Sequence, residues 1–279
     1  MRTACRGFAI VVCALAAVAC GERTEPVGPA ADFYPLTITT ADRPLTIPAP
    51  ATRVVVLEGG AEAILDAIGA GDRVVGSSMA AADVASLRPD LVVAPSAADD
   101  KTLSRAAGSG ALVYVTPDSS ITEIERAITQ LGLIVAEPAA ARRRVGDIEQ
   151  QRHRVARQLM GAGLTRVFVD RGGFASASDS SLIGDMIREA RGRNVAANVP
   201  DDLPLSVRQL RAIDPDVYVT VAPDGPTLKQ LRRGPRTRKL KAVRTGRVVS
   251  IDGRLLSPGP DIGAGLLALA RALHPDAFR

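Results

Sequence analysis

The amino-acid sequence predicts an α/β protein made of two lobes of one plan joined by a single long helix. Three observations carry this prediction. From Pro138 to Leu159, Ala141, Val145, Ile148, Val155 and Leu159 recur at three- and four-residue steps, interrupted only by Arg152, while the other faces hold Arg, Gln, Glu and Asp. That spacing is the narrow apolar stripe of a helix lying on a surface. Thr52-Arg-Val-Val-Val-Leu-Glu-Gly-Gly60 on one side of it is matched on the other by Thr165-Arg-Val-Phe-Val-Asp-Arg-Gly-Gly173. Further along, Leu87-Arg-Pro-Asp-Leu-Val-Val-Ala-Pro95 is matched by Ile213-Asp-Pro-Asp-Val-Tyr-Val-Thr-Val-Ala-Pro223. In both of these a helix stops before a Pro-Asp turn and a buried strand follows, because proline disfavours helix in the residue before it.

Taken in order, Leu36–Thr39 and Leu45–Ile47 flank Ala41-Asp-Arg-Pro44 and read as a hairpin. Val54–Leu57 is a continuous apolar strand, and Ala61–Ile68 is the helix behind it, stopped by Gly69 and Gly71. Val74-Val75 is a short strand and Ala80–Leu87 a short helix; Leu91–Ala94 and Leu112–Val115 are strands with a helix from about Leu103 between them. Pro138 suits a first helical turn, and Gly161 and Gly163 a stop. The second half repeats the order with strand Val167–Val169, helices Leu182–Glu189 and Ser206–Ile213, strands Val217–Val221 and Val248–Ile251, and a closing helix Ile262–Leu273. Strands alternating with helices imply parallel sheets covered on both faces.

The chain has 279 residues, of which 46% are hydrophobic and 23% charged, a globular composition with room for two lobes. Arg2 and Arg6 precede an apolar run from Phe8 to Ala19, too short to remain as a membrane span. Ala17-Val-Ala-Cys20 closes it and resembles the box of bacterial lipoprotein signals, in which the cysteine is acylated and becomes the new N-terminus. The expected organisation is a signal peptide over 1–19, lipidation at Cys20, a flexible tether over 20–33, an N-terminal lobe over 34–137, the connecting helix over 138–159 and a C-terminal lobe over 160–279. Cys5 and Cys13 leave with the signal, so no disulfide is expected and the core must hold the fold. Of the net charge of +5, the stretch Lys229–Arg247 holds nine basic residues and no acid. Without interleaved aromatics, and in an exported chain, this reads as a solvated basic face in preference to a membrane-facing patch, and not as a nucleic-acid site.

Several short stretches together resemble the substrate-binding proteins of ABC importers for ferric siderophores, haem and cobalamin. They are Tyr34-Pro-Leu-Thr-Ile, Leu45-Thr-Ile-Pro, Arg53-Val-Val-Val, Ala67-Ile-Gly-Ala-Gly-Asp-Arg-Val-Val-Gly76, Arg88-Pro-Asp-Leu-Val-Val, Asn194-Val-Ala-Ala, Val243-Arg-Thr-Gly-Arg-Val-Val, Pro258-Gly-Pro and Leu273-His-Pro-Asp-Ala-Phe278, in the family's order. The resemblance implies two Rossmann-like lobes bridged by one helix, a ligand in the cleft between them, a monomeric chain and an ABC permease as partner. Between Val75 and Arg88 the chain is shorter than the family, which removes part of one cleft rim. The resemblance also implies a docking acid seven positions before the proline of each Pro-Asp turn. Here those positions hold Ala82, with Asp83 one place off, and Arg208, so docking on a permease is expected to use altered charges or to fail.

Ligands in open α/β sheets bind beyond the carboxyl ends of strands. The candidate ligand contacts there are Glu58, Gly59, Gly60, Ser77, Ser96, Arg171, Gly172, Phe174 and Arg254. Glycines admit close backbone approach, and Arg171 and Arg254 present planar forks to an oxyanion. There is no Trp, and Tyr114, Phe168 and Tyr218 fall inside strands, where core is the simpler reading, so an anionic metal chelate is favoured over haem or a corrin. His153 and His274 are the only histidines and neither sits at a strand end, so no bare-metal site is expected and no protein-held cofactor is required. Asp99-Asp100 and Asp201-Asp202 read as caps or turns. Ser176–Ser181 lacks a nearby base, which argues for helix capping and against catalysis.

Overall fold

A computed structural model of the protein describes residues 33–77, 83–201, 203–223 and 225–279. The signal peptide, Cys20 and all of the tether but Phe33 lie outside these residues, as do Ser78, the start of the Ala80–Leu87 helix with Ala82, Asp202 and Asp224. Two four-stranded parallel sheets form the frame. The first contains β3 (Val54–Val56), β4 (Val74–Ser77), β5 (Leu91–Pro95) and β6 (Leu112–Thr116), in the spatial order β4-β3-β5-β6. The second contains β7 (Thr165–Asp170), β8 (Gly192–Asn194), β9 (Val217–Ala222) and β10 (Val248–Asp252), in the order β8-β7-β9-β10. Counting strands from the start of each lobe, both read 2-1-3-4, so the duplication seen in the sequence is a duplication of topology. The hairpin of β1 (Leu36–Thr40) and β2 (Arg43–Ile47) covers the β6 edge, where Thr40 Oγ1 donates to the Val115 carbonyl at 2.9 Å and accepts from its N–H at 2.8 Å.

The matched segments recur for a physical reason. Asp90 of the first Pro-Asp turn accepts the N–H groups of Thr52 (2.8 Å) and Arg53 (3.1 Å), and the Arg53 guanidinium returns to the carbonyls of Leu87 and Arg88. In the second lobe Asp216 accepts the Arg166 N–H at 3.3 Å, and the Arg166 guanidinium reaches the carbonyls of Ile213 and Asp214. Each Thr-Arg-Val start is thus stapled to the turn that opens the neighbouring strand, and the residue before each proline, Arg88 or Asp214, takes a left-handed backbone (φ 47° and 45°).

Helices α1 (Gly59–Ala67), α3 (Ile121–Ile134), α4 (Pro138–Gln158), α5 (Leu182–Glu189) and α9 (Ile262–Leu273) pack on the facing sides of the two sheets. Val54, Val56, Leu91 and Val93 of one sheet and Val167, Val169, Val217 and Val219 of the other belong to one continuous core that runs through Ala141, Ile148, Val155 and Leu159 of the long helix. The alternate residues face outward into separate smaller cores, around Val55 and Val92 in the first lobe and around Phe168 and Tyr218 in the second. Tyr114, Phe168 and Tyr218 are fully buried, as their strand positions predict.

The long helix spans 138–158, within one residue of the expected stop. Sequence reading missed α3, whose N-terminus is capped by Ser120 (3.2 Å to the Glu123 N–H), although Ile121, Ile124, Ile128 and Leu131 recur at helical spacing. It also missed β8 and two short outer helices, α7 (Leu228–Arg233) and α8 (Lys241–Arg244). The Val84–Leu87 stretch is a 3₁₀ turn, and α2 begins at Asp100, three residues before expectation, because Asp99 caps it by accepting the Thr102 N–H at 2.7 Å. Ser181 caps α5 as expected of that serine run.

Arg152, the one break in the apolar stripe, ties the lobes together. Its guanidinium bonds Glu125 of α3 at 2.8 and 3.0 Å and Glu189 of α5 at 2.6 and 3.1 Å. A second tie is the Ile121 N–H, buried at the start of α3, which donates to Asp185 of α5 at 2.9 Å. Burial raises the Glu125 carboxyl despite the Arg152 charge, and its carboxylates raise the Arg152 pKa. A carboxyl raised on folding contributes stability that is complete below its unfolded value and is lost as pH rises through the folded one. Removing the arginine enlarges that shift. Arg152→Met should therefore lower stability by roughly 2 kcal/mol near neutral pH, a buried-pair loss discounted for partial exposure. The deficit should shrink near pH 5 and grow near pH 8; equal deficits at both pH values in urea denaturation would show that the charge of Glu125 is not what the arginine offsets.

Candidate functional site

The segment beyond β10 of the second sheet reaches the carboxyl end of β3 in the first, where Pro258 meets Gly60 at a seam between the lobes. The switch point of a 2-1-3-4 sheet lies between its first and third strands, where connections leave in opposite directions and open a crevice. In the first lobe these mouths are Glu58-Gly59-Gly60 after β3 and Ser96 after β5; in the second they are Arg171–Phe174 after β7 and Pro223 after β9.

The first lobe's lip is acidic and hydroxylic. Glu58 and Gly59 are exposed at the start of α1, and burial of part of the Glu58 carboxyl, followed by the nearby Asp118 charge, raises its pKa. Asp118 accepts the Ser96 hydroxyl at 2.6 Å. Thr116 lies between them with a buried hydroxyl that has no hydrogen-bond partner. Ser77 turns away from the seam, its hydroxyl donated to Glu62 of α1. Glu58 and Ser96 were singled out in the sequence; Asp118 was not, although a carboxylate directly after a strand-ending Thr-Pro was the available signal.

The second lobe's lip is a glycine loop built on one buried carboxylate. Asp170, fully buried at the end of β7, accepts the N–H groups of Gly172 at 2.9 Å and Phe174 at 3.0 Å, and the Tyr218 hydroxyl at 2.5 Å. Three successive residues, Gly172, Gly173 and Phe174, have positive φ (125°, 61° and 67°), the left-handed path that the two glycines accept freely and Phe174 does not. Burial and the Asp170 charge push the Tyr218 phenol far up, so it stays a donor. Arg171 is exposed on this loop, with its N–H donated to the Ala175 carbonyl at 2.9 Å. The Phe174 ring is half-buried against the outer core around Phe168 and Tyr218, which makes it a support of the loop as well as a lip residue. Arg254 is bound by its neighbour Asp252 at 2.9 Å on a side chain 88% exposed, the geometry of a surface ion pair.

The lobes touch at Gly60, after β3, and Pro258, beyond β10. A side chain on Gly60 would run into the Pro258 carbonyl, whose oxygen lies 2.4 Å from where a Cβ would stand. The void shared by Glu58, Gly60, Thr116, Asp118 and Pro258 is about 10 Å³, no more than one water needs. Beside it, a hollow of about 550 Å³ opens over Ser96, Thr116 and Asp118 toward the hairpin. A hollow of about 960 Å³ follows the edge of β8 through Arg166, Arg193 and Asn198, away from the strand mouths, and sheet-edge shape explains it. Among the described residues no cluster of three or more His, Cys, Asp or Glu could hold a metal ion. Asp83 and Arg208 are exposed, on the 3₁₀ turn before β5 and on α6 (Val207–Ile213) before β9.

Asp170→Ala should strand two loop N–H groups and the buried phenol, at about 1–3 kcal/mol for each group left unsatisfied. Tyr218→Phe removes one bond only and should cost about 1 kcal/mol. Comparable losses in chemical denaturation would show that the loop N–H groups do not depend on the carboxylate.

Residues 82–255, well over half of the chain, match the model of a family described as periplasmic binding protein. A cobalamin-binding protein of Halobacterium salinarum, in each of two strains, is 27% identical over 202 residues, 68% of this chain and 55% of that protein. The chain thus spans about half the length of the curated relatives it matches. Among solved structures, Helicobacter pylori CeuE in a nickel-histidine complex superimposes with a TM-score of 0.78 at 16% identity, covering 87% of this chain and 89% of that one. The periplasmic haem-binding protein RhuT of Roseiflexus sp. RS-1 gives 0.70 at 23%, covering 81% and 99%. A protein of the ABC-type Fe3+-hydroxamate transport system of Saccharomonospora viridis gives 0.69 at 19%, covering 86% and 99%. At these identities the structures establish a shared fold, and with the family match they settle the assignment that the duplicated sheets and long helix already favoured: the chain belongs to the periplasmic binding protein family, whose members are extracytoplasmic solute-binding proteins and not enzymes.

Proposed function

We propose that this protein is an exported solute-binding protein, lipid-anchored at Cys20, that captures a small anionic metal chelate, a ferric siderophore foremost, for an ABC importer. The observation that supports the reading is the contact of the lobes at Gly60 and Pro258 beside the Glu58 and Asp118 lip, together with an exposed Arg171 on the glycine loop at the end of β7. A guanidinium fork suits the carboxylate, catecholate or hydroxamate oxygens of such a chelate. On the first lobe's lip, partial burial and the nearby Asp118 charge raise the Glu58 carboxyl pKa, and the Ser96 hydroxyl stands beside Asp118. Cobalamin and haem are the next ligands in line: a relative named as cobalamin-binding favours the first, and the scarcity of exposed aromatics at the mouths disfavours both. A second reading is a family member that no longer delivers to a permease and acts as a sensing or interaction lipoprotein. The reversed charge at Arg208, exposed where the resemblance implies a docking acid, favours it.

Two measurements test the proposal. In a thermal-shift panel on the chain from Gly21 onward, a cognate chelate at about 100 times its dissociation constant should add roughly 2.7 kcal/mol. Arg171→Ala should remove most of that gain. No shift with ferric siderophores, cobalamin or haem on a folded protein would remove the chelate reading. For the anchor, Cys20→Ser should release the protein from the membrane fraction with its fold intact, since acyl chains supply most of the anchoring energy. Undiminished membrane retention without acyl mass on the N-terminal peptide would rule lipidation out.

A further inference from the structure

The outer face of the second lobe gathers cations from parts of the chain far apart in sequence. Its small core of Phe168, Tyr218, Leu210, Leu231, Leu240 and Val243 is roofed by α6, α7, a 3₁₀ turn (Thr237–Lys239) and α8. None of these four elements contains an acidic residue. Burying their few apolar residues inward leaves Arg208 and Arg211 of α6, Arg232 and Arg233 of α7, Arg238 of the turn and Arg236 just before it all exposed. Among the described residues none of the six has an ion-pair partner. Lys241 on the same layer is neutralised by Asp216 at 2.7 Å, so the carboxylates of the adjoining Pro-Asp turn are already engaged. Arg208, Arg211 and Arg236 surround a hollow of about 550 Å³ whose only other lining residue is Ala212. The basic run read from the sequence as a solvated face is therefore one half of a larger surface, completed by α6.

We infer that this face lies on an anionic lipid bilayer, with the hollow between Arg208, Arg211 and Arg236 taking a headgroup phosphate. A concentration of one sign of charge without compensating acids costs folding stability through self-repulsion, and an anionic surface relieves it. Long flexible cations without bidentate protein partners suit a diffuse, fluid array of phosphates better than a shaped acidic groove. The inference rests on the proposed anchor for its geometry: a tether of 13 residues after Cys20 reaches at most about 45 Å, so the folded lobes stay within reach of the bilayer. A lipid anchor and a basic patch acting together give stable attachment where either alone is reversible. Lying on this face also fixes which way the cleft points relative to the membrane.

The test uses the chain from Gly21 onward, which retains every described element and cannot be acylated at Cys20. It is sedimented with phosphatidylcholine vesicles containing about 30% phosphatidylglycerol and with pure phosphatidylcholine vesicles, the ionic strength being varied across the range where screening sets in. Expected are binding to the anionic vesicles only, a loss of at least about tenfold between about 50 and 300 mM salt, and a similar loss in R208Q/R211Q/R236Q with a melting temperature no lower than the parent's. The matched variant R142Q/R143Q/R154Q removes the same charge from exposed positions on α4 and should bind like the parent. Absence of binding to anionic vesicles at low salt, equal binding to neutral ones, or equal losses in the two variants would each overturn the inference. Because acylation is absent throughout and no chelate is added, failure here leaves the fractionation and thermal-shift results untouched.

Discussion

One guanidinium holds the geometry on which the rest depends. Arg152 leaves the buried seam of the connecting helix and takes carboxylates from α3 of the first lobe and α5 of the second, four bonds between 2.6 and 3.1 Å. Around it the two sheets share one apolar core through α4, α9 and the facing helices, and do not behave as beads on a string. A buried ion triad is weak evidence for stability, since desolvation offsets much of its attraction, but it is strongly directional. Its consequence is directional: together with the Ile121–Asp185 bond it adds polar ties between the lobes to the packing of the shared core.

The lips so positioned differ in chemistry although the lobes share a topology. The first lobe offers Glu58, Ser96, Thr116 and Asp118; the second offers backbone, glycine and Arg171. After the strand-1 position, duplication left a double glycine in both, but Leu57-Glu58 in one and Asp170-Arg171 in the other. Asp170 is spent on building its own loop, which allows the guanidinium beside it to be presented from a rigid support. The contact of Pro258 with Gly60 closes the seam to about one water, so admitting a ligand requires the lips to part there.

Charge is distributed with the same asymmetry on a larger scale. The inner faces of the lobes spend their charged residues in pairs, as at Arg152 and Asp185, whereas the outer layer of the second lobe keeps a set of cations without acids. Helices as short as α7 and α8 gain little from intrinsic propensity and depend on burying Leu231, Ala242 and Val243. Their outward positions are then unconstrained by packing, and it is there that the arginines accumulate.

The sequence by itself determined the two lobes, the long helix and the strand mouths, because those depend on local period and local punctuation. The apolar stripe of α4, the Thr-Arg-Val strands and the Pro-Asp turns are each legible within a dozen residues, and their repetition carried the duplication that the 2-1-3-4 sheets display. The tertiary structure alone decided which charged residues meet. Arg152 read as a flaw in a stripe because its partners lie 27 and 37 residues away. Asp118 escaped notice because its bearing on Glu58 exists only once β3 and β6 stand in one sheet. Arg254 stands out in the sequence by its strand-end position, and the folded turn adds Asp252, two residues away, as its ion-pair partner. The basic run was visible, but its completion by Arg208 and Arg211 required α6 to fold beside it. Periodicity is a property of neighbours in the chain, whereas electrostatic partnership is a property of distance in space, and only folding converts one into the other.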